Sequence, residues 1–323
     1  MFNSGAPLSA LLACVGLNAT VASAQQYPTK PVRLIIGYPA GGGTDTVARV
    51  MAQTLSEGLG RQVLVDNRPG AGGNIATELA VRSPPDGYTL LMGNVGPMTV
   101  NPHLYKLTFD PLRDLMPVTL LAAAPLLVVV HPSLPVKSLR DLIALANRQP
   151  RGLSYSSAGV GSSNHLAGAL FNMVAGVNVV HIPYKGAASA VTDLLAGQVQ
   201  LSFQTLPSVG GNITSGRLKA LALTSAKRAA LFPEVPTAAE AGLKNYEVSA
   251  WYGLLVPNGT PRAIIDRLHQ ETTKAVKTKS VIDRLNAEGA EPAGISPEAF
   301  GDFMRAETAK WGKVVKASGM KVE

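Results

Sequence analysis

The groups best placed to do chemistry in this chain are backbone amides and hydroxyls, gathered in two glycine-rich stretches. The first reads Gly37-Tyr38-Pro39-Ala40-Gly41-Gly42-Gly43-Thr44-Asp45. It lies between the apolar run Val32 to Ile36 and apolar residues at Val47, Val50, Met51 and Leu55. The second, Ser157-Ala158-Gly159-Val160-Gly161-Ser162-Ser163-Asn164-His165, lies between Leu153–Ser156 and apolar Leu166, Leu170, Met173 and Val174. Each spacing predicts a strand, a turn and a helix. A strand that turns through glycines into a helix leaves N–H groups without intrahelical acceptors, at the positive end of the helix dipole. That combination suits an anion. Thr44 and Ser162 or Ser163 would cap their helices while offering hydroxyls to the same ligand. Two such turns facing each other across a cleft suit a carboxylate. Charge-assisted hydrogen bonds contribute about 1.5–3 kcal/mol each, and a micromolar complex needs about 8 kcal/mol, so no salt bridge is required.

Several side chains near these turns admit two roles. Asp45 is either a partner of the helix dipole or a cleft residue that calls for an intervening water or a ligand amine. His165, one turn into the second helix, is either packed and hydrogen-bonded or a ligand contact. Lys185 either draws an anion to the cleft lip or is an ordinary exposed lysine. Arg68-Pro69-Gly70 reads most simply as a rigid turn. Other chemistry lacks its residues. The glycine run Asn67–Asn74 places Ile75 where a dinucleotide fingerprint needs its third glycine, residues 159–164 end in Asn164, and there is no phosphate-binding GxxxxGK[ST] string. His103, His131, His165, His181 and His269 have no metal-ligand spacing, and no GxSxG elbow occurs.

The elements that must position the turns alternate almost throughout. Strands are predicted over 32–37, 62–65, 88–92, 126–130, 153–156, 178–182, 199–203, 218–223 and 248–256. Helices are predicted over 44–58, 74–82, 138–147, 163–175, 187–196, 261–276, 280–288 and 297–317. Such alternation predicts an α/β fold with mostly parallel sheets and helices on their faces. Ser138, Pro261 and Ser296-Pro297 mark helix starts. Pro117–Val130 and Val248–Val256 read as crossings between two lobes. The domains expected are 25–122 and 251–323 for the first lobe and 123–250 for the second.

The chain has 323 residues, 46% of them hydrophobic and 15% charged, which is ample for a buried core. Its net charge of +8 favours anionic partners. The basic residues are scattered without aromatic interleaving, so no nucleic-acid partner is expected. Residues 1–24 carry no charged side chain, hold a short apolar run at Leu8–Leu17, and end in Ala22-Ser23-Ala24. This reads as a secretory signal peptide cleaved after Ala24, too short to span a bilayer. Cys14, the single cysteine, falls inside it. The mature chain is thus expected to have no thiol chemistry.

Seven strings in one order resemble a single family. They are Tyr27–Arg33, Pro39–Asp45, Asn67–Asn74, Pro85–Leu90, Gly161–Gly168, Pro183–Gly186 and Asp193–Val199. Together they are similar to the solute receptors of tripartite tricarboxylate transporters, the TctC-like or Bug family. The resemblance implies a periplasmic-binding-protein-like fold (type II), with two hinge strands and a ligand cleft between the lobes. It implies a periplasmic receptor that hands a small carboxylate to a two-subunit membrane permease; beside it, the missing catalytic and cofactor motifs lead to the expectation of no cofactor and no enzymatic activity, and a monomer is expected. The implied ligand contacts are Tyr38, Ala40, Gly41, Gly42, Thr44 and Asp45 from one lobe. Ser157, Gly161, Ser162, Ser163 and His165 face them, with Tyr184, Lys185 and Gln204 as further candidates. Family members commonly carry acids where this chain has Gln200 and Gln204, and the second usually lies near the cleft. The amide at Gln204 therefore favours a plain carboxylate over an amino acid. The alternatives are a carboxylate sensor that feeds a signalling partner, or an α/β enzyme acting on a carboxylate.

Overall fold

The computed structural model describes residues 27–320 except 42, 230 and 288. The expected signal peptide, its cleavage point, Cys14 and Gly42 lie outside the described residues. Ten strands join in one continuous sheet, ordered β2-β1-β3-β9-β4-β7-β5-β6, with β8 and β10 also paired to β4. The strands are β1 (Val32–Ile36), β2 (Val63–Asn67), β3 (Thr89–Asn94), β4 (Leu115–Val130), β5 (Ser154–Ser157), β6 (Val180–Pro183), β7 (Leu201–Thr205), β8 (Lys219–Leu223), β9 (Ser249–Pro257) and β10 (Glu291–Pro292). The helices are α1 (Gly43–Leu59), α2 (Asn74–Val81), α3 (Asn101–Leu104), α4 (Pro111–Asp114), α5 (Leu139–Arg148), α6 (Ser163–Ala175), α7 (Ala187–Leu195), α8 (Leu206–Thr214), α9 (Arg262–Val276), α10 (Lys279–Ala287) and α11 (Pro297–Ser318).

The expectation of mostly parallel sheets holds only in part. β1 is parallel to β2 and β3, and β5 is parallel to β6 and β7. Every pairing made by β4 and β9 is antiparallel: β4 leads out of the first lobe and β9 runs back beside it in the opposite direction. Residues 115–125 of β4 pair with β9, and residues 126–130 pair with β7 and β8. The change of partners falls at Pro125, which has no N–H to give to a ladder. Thr224, buried just after β8, joins both crossings. Its hydroxyl accepts from Leu126 N at 2.9 Å and donates to Val248 O at 2.5 Å. Its backbone exchanges bonds with the same two residues.

Alternation along the strands sets the layers, since successive side chains point to opposite faces. Leu34 and Ile36 pack with Val47, Met51 and Leu55 of α1 and with Ile265 and Leu268 of α9. Ile35, facing the other way, joins Ala76 and Ala80 of α2. In the second lobe, Val128 and Phe203 meet Leu166, Leu170 and Phe171 of α6. Leu127 and Val129 meet Val191 and Leu194 of α7, with Leu206 and Val209 of α8. Helix α8 was not expected, because Gly210 and Gly211 weaken its propensity. Burial of Leu206 and Val209 stabilises it instead. Also unforeseen are a π-helical turn at Gly96–Val100 and the short α3 that follows it. The C-terminal α11 does not only cover the first lobe: it packs on β4 and also touches α6 of the second.

Candidate functional site

At the first glycine turn the chain leaves β1, and Ala40 and Gly41 stand exposed at its tip. Asp45 is buried and fully engaged. It accepts from Gly41 N at 2.9 Å and from Asn67 Nδ2 at 3.0 Å, and it pairs with Arg49 Nε at 2.9 Å. Burial alone would raise its pKa, but the Arg49 contact and the Gly41 and Asn67 bonds outweigh burial and hold it below the ordinary carboxylate value. These bonds hold the first turn in shape. One consequence departs from expectation, since the Gly41 N–H is already donated and is not open to a ligand. Nor does Thr44 cap α1, which begins one residue earlier at Gly43. Its hydroxyl instead accepts from Asn94 Nδ2 at 3.4 Å. The N–H groups of Thr44 and Asp45 have no acceptor among the described residues. The Tyr38 hydroxyl lies 3.3 Å from Asn94 Oδ1 and 3.5 Å from Gly72 O. Burial pushes the phenol pKa up to about 12, so it remains a donor at neutral pH.

The second turn is held by its own hydroxyls. Ser162 caps α6 as expected, accepting from His165 N at 3.3 Å and donating to Gly159 O at 2.7 Å. Ser157 is fully buried and bonds to Gly159 and, at 2.6 Å, to His181 Nε2. His165 is packed: its Nδ1 accepts from Gly161 N at 3.2 Å, and its ring stacks on His181 with centroids 3.8 Å apart. Burial lowers the pKa of His165 to about 3, with the neighbouring His181 adding to the effect. Burial lowers that of His181 to about 4. Both rings are therefore neutral at physiological pH, and His165 Nδ1 acts as an acceptor for the Gly161 N–H. Ser163 is half-buried, and its side chain has no partner among the described residues. The N–H groups of Ser163 and Asn164 also lack acceptors there.

The remaining candidates are less available. Tyr184 donates to Asp193 Oδ2 at 2.8 Å within its own lobe, and burial, together with that carboxylate, pushes its pKa up to about 12. Lys185 is exposed, with no ion pair among the described residues. Gln204 is fully buried, donating to Ser202 Oγ at 2.9 Å and accepting from Asn164 Nδ2 at 3.2 Å. Its amide completes the interior network Ser156–Ser202–Gln204–Asn164. The expectation that it offers an amide to the ligand, and the preference for a plain carboxylate drawn from it, loses its footing.

The two turns share common ground. On the side of the first turn, Asn94, the last residue of β3, spans Thr44 and Tyr38 with its amide. Next to it, a methyl group built on Gly96 would lie 3.2 Å from the Tyr38 hydroxyl and 3.3 Å from Gly161 O. Tyr38 of the first lobe and Gly161 of the second therefore flank one point. Sequence reasoning passed over Asn94, Gly96 and His181. The available signal for Asn94 was its place at the C-terminal end of a strand, where α/β sheets bind ligands. A separate hollow of about 310 Å³, lined by Met98, Tyr105, Phe109, Leu112 and Thr308 among others, lies beside the first lobe. It includes neither turn. Approaching donors, and not that hollow, mark the candidate site: N–H groups at two helix starts that lack acceptors among the described residues, with the hydroxyls of Tyr38, Thr44 and Ser163 nearby. No group of residues that could hold a metal ion occurs among the described residues.

Comparison with known proteins agrees with this architecture. Protein BugT of Bordetella pertussis is 38% identical over 320 residues, covering 98% of each chain. The structure of Rpa4515 from R. palustris with adipate superposes with a TM-score of 0.85 at 38% identity, covering 91% of this chain and 99% of that one. MatC from Rhodopseudomonas palustris with bound malate gives 0.81 at 31% identity, covering 90% and 100%. Residues 47–320 match the model of the tripartite tricarboxylate transporter family receptor, so the chain belongs to that family and has its two-lobed α/β solute-binding fold.

Proposed function

We propose that this protein is an extracytoplasmic receptor that closes two lobes on a small carboxylate and delivers it to a two-subunit membrane permease. One observation carries the reading. The starts of α1 and α6 each have a hydroxyl and N–H groups that lack acceptors among the described residues, and their turns meet where Gly96 lies between Tyr38, bonded to Asn94, and Gly161. A carboxylate with two acceptor oxygens suits donors approaching from both sides. Adipate and malate, bound by two relatives, are ligands of this chemistry. We assign lobe boundaries at 25–122 with 251–323, and at 123–250; the change of strand partners at Pro125 supports the first crossing. Export after cleavage at Ala24, a periplasmic location and a monomeric state complete the reading. No described helix is long and apolar enough to cross a membrane.

Within the site, Tyr38, Thr44, Gly161 and Ser163 are the residues proposed to meet the ligand. Asp45, Ser157, Ser162, His165 and Gln204 hold them in place, and Ala40, Gly41, Tyr184 and Lys185 border the entrance. A thermal-shift panel of mono-, di- and tricarboxylates tests the function. A binder raises the melting temperature in proportion to the logarithm of its concentration. Thr44→Val weakens that binder by about 1–3 kcal/mol, the cost of leaving a buried charged acceptor without a donor. Absence of any shift across the panel at millimolar concentration would overturn the reading.

A further inference from the structure

Among the described residues, three buried side-chain atoms lack hydrogen-bond partners: Trp251 Nε1, Thr272 Oγ1 and Asn101 Oδ1. Trp251 is packed among Phe300 and Phe303, and Thr272 is buried on α9. Asn101 differs, because its free oxygen is directed at the other lobe. It stands 3.0 Å from where a Cβ of Gly161 would be, in the middle of the second glycine turn.

The orientation of this amide is fixed. Its nitrogen donates to Gly72 O at 3.1 Å and to Asn74 Oδ1 at 2.7 Å. A backbone carbonyl can only accept, so the atom beside Gly72 must be nitrogen, and the atom facing Gly161 must be oxygen. The Tyr38 hydroxyl reaches the same Gly72 carbonyl. Asn101 is thus tied into the first-lobe wall of the site, and with 1% of its surface exposed it has little access to bulk water.

We propose that Asn101 is a specificity-determining binding residue, and that the solute it selects is a carboxylate bearing a hydrogen-bond donor, a hydroxyl or an amino group, directed at Asn101 Oδ1. The inference rests on the carboxylate reading above and narrows it. A carboxylate oxygen cannot satisfy a second acceptor; it would meet Asn101 Oδ1 with repulsion. The unpaired N–H groups of the helix starts take the carboxylate, and the orphaned oxygen takes the donor. A solute without the donor leaves that oxygen desolvated and unpaired when the lobes close over it, which is how a buried acceptor discriminates.

The test is calorimetry on the whole mature protein with matched pairs that differ by one donor: propionate with lactate and alanine, succinate with malate and aspartate, glutarate with 2-hydroxyglutarate and glutamate, benzoate with hydroxybenzoates. In at least one set the donor-bearing member binds about ten- to a hundredfold more tightly than its parent. Asn101→Ala removes most of that preference, bringing the affinity ratio within each pair toward one whatever the absolute affinity of the donor-free parent. The preference of the wild-type protein needs no variant, so a poorly folding Asn101→Ala does not block the test. Parents bound as tightly as their donor-bearing partners overturn the proposal. So does an Asn101→Ala protein that loses both members of a pair equally, which would mark a purely structural role. If no carboxylate of any set binds, the carboxylate reading itself fails and this one with it.

Discussion

Asp45 is a carboxylate in a site proposed to hold a carboxylate, and its bonds resolve the paradox. Arg49, Gly41 and Asn67 surround it, so its charge is spent inside the turn. Asp45→Ala strands the Gly41 N–H and the Asn67 amide and lowers stability by about 1–3 kcal/mol in chemical denaturation. The pH dependence has a definite sign. The folded pKa lies below the unfolded value near 3.8, so the stabilisation is complete above that value and is lost as pH falls through the lowered one. The stacked histidines act in a different window. Their folded values of about 3 and 4 lie below 6.5, so between 6.5 and about 4 the unfolded chain binds protons that the folded chain refuses. Melting temperature should therefore decline as pH drops from 6.5 toward 4. His181→Phe, which retains a ring against His165 but cannot titrate, should flatten the decline. An unchanged slope would mean that other groups set the acid limit.

Among the elements, the approach of the two helix starts depends on a residue without a side chain. Gly96 begins the π-helical turn after β3, between the Tyr38 hydroxyl and Gly161 O. Gly96→Ala adds a methyl at 3.2 and 3.3 Å from those atoms, so one side must retreat by a few tenths of an ångström. Ligand affinity should fall about tenfold or more while thermal stability without ligand changes little, because Gly161 lies across the cleft and the Tyr38 hydroxyl is the far end of a side chain that can give way. Equal loss of both would place the crowding inside one lobe. This contact also shows what the sequence could and could not disclose. The strands other than β10, the long amphipathic helices and the Ser162 cap were legible, since periodicity and capping chemistry are local. Asn94, Gly96, Asn101 and His181 were not, because each owes its position to residues distant in the chain. An asparagine at a strand end reads as turn chemistry until Thr44 and Tyr38 are seen on either side of it. Helix α8 escaped for a related reason: its glycines argue against a helix, and only the packing of Leu206 and Val209 overrides them.

Over the whole molecule, the chain passes between lobes on β4 and on the segment that leads into β9, and Thr224 ties both passages together. Thr224→Val keeps the shape of the side chain and removes the hydroxyl, leaving Leu126 N and Val248 O unpaired in the interior. The expected cost is about 1–3 kcal/mol in denaturant unfolding. A loss below about 0.5 kcal/mol would show that the backbone bonds of Thr224 suffice to hold the crossing. The same knot has an architectural corollary. Where the outgoing and returning chain touch a single hydroxyl, everything between Leu126 and Val248 is, for the remainder of the polypeptide, an enlarged surface loop with adjoining ends. Such excursions are the places where polypeptides accept insertions and permuted termini. The far half can therefore be treated as a removable cassette: a different gripping unit spliced between the same two strands would leave the parent sheet its own hydrogen-bond partners.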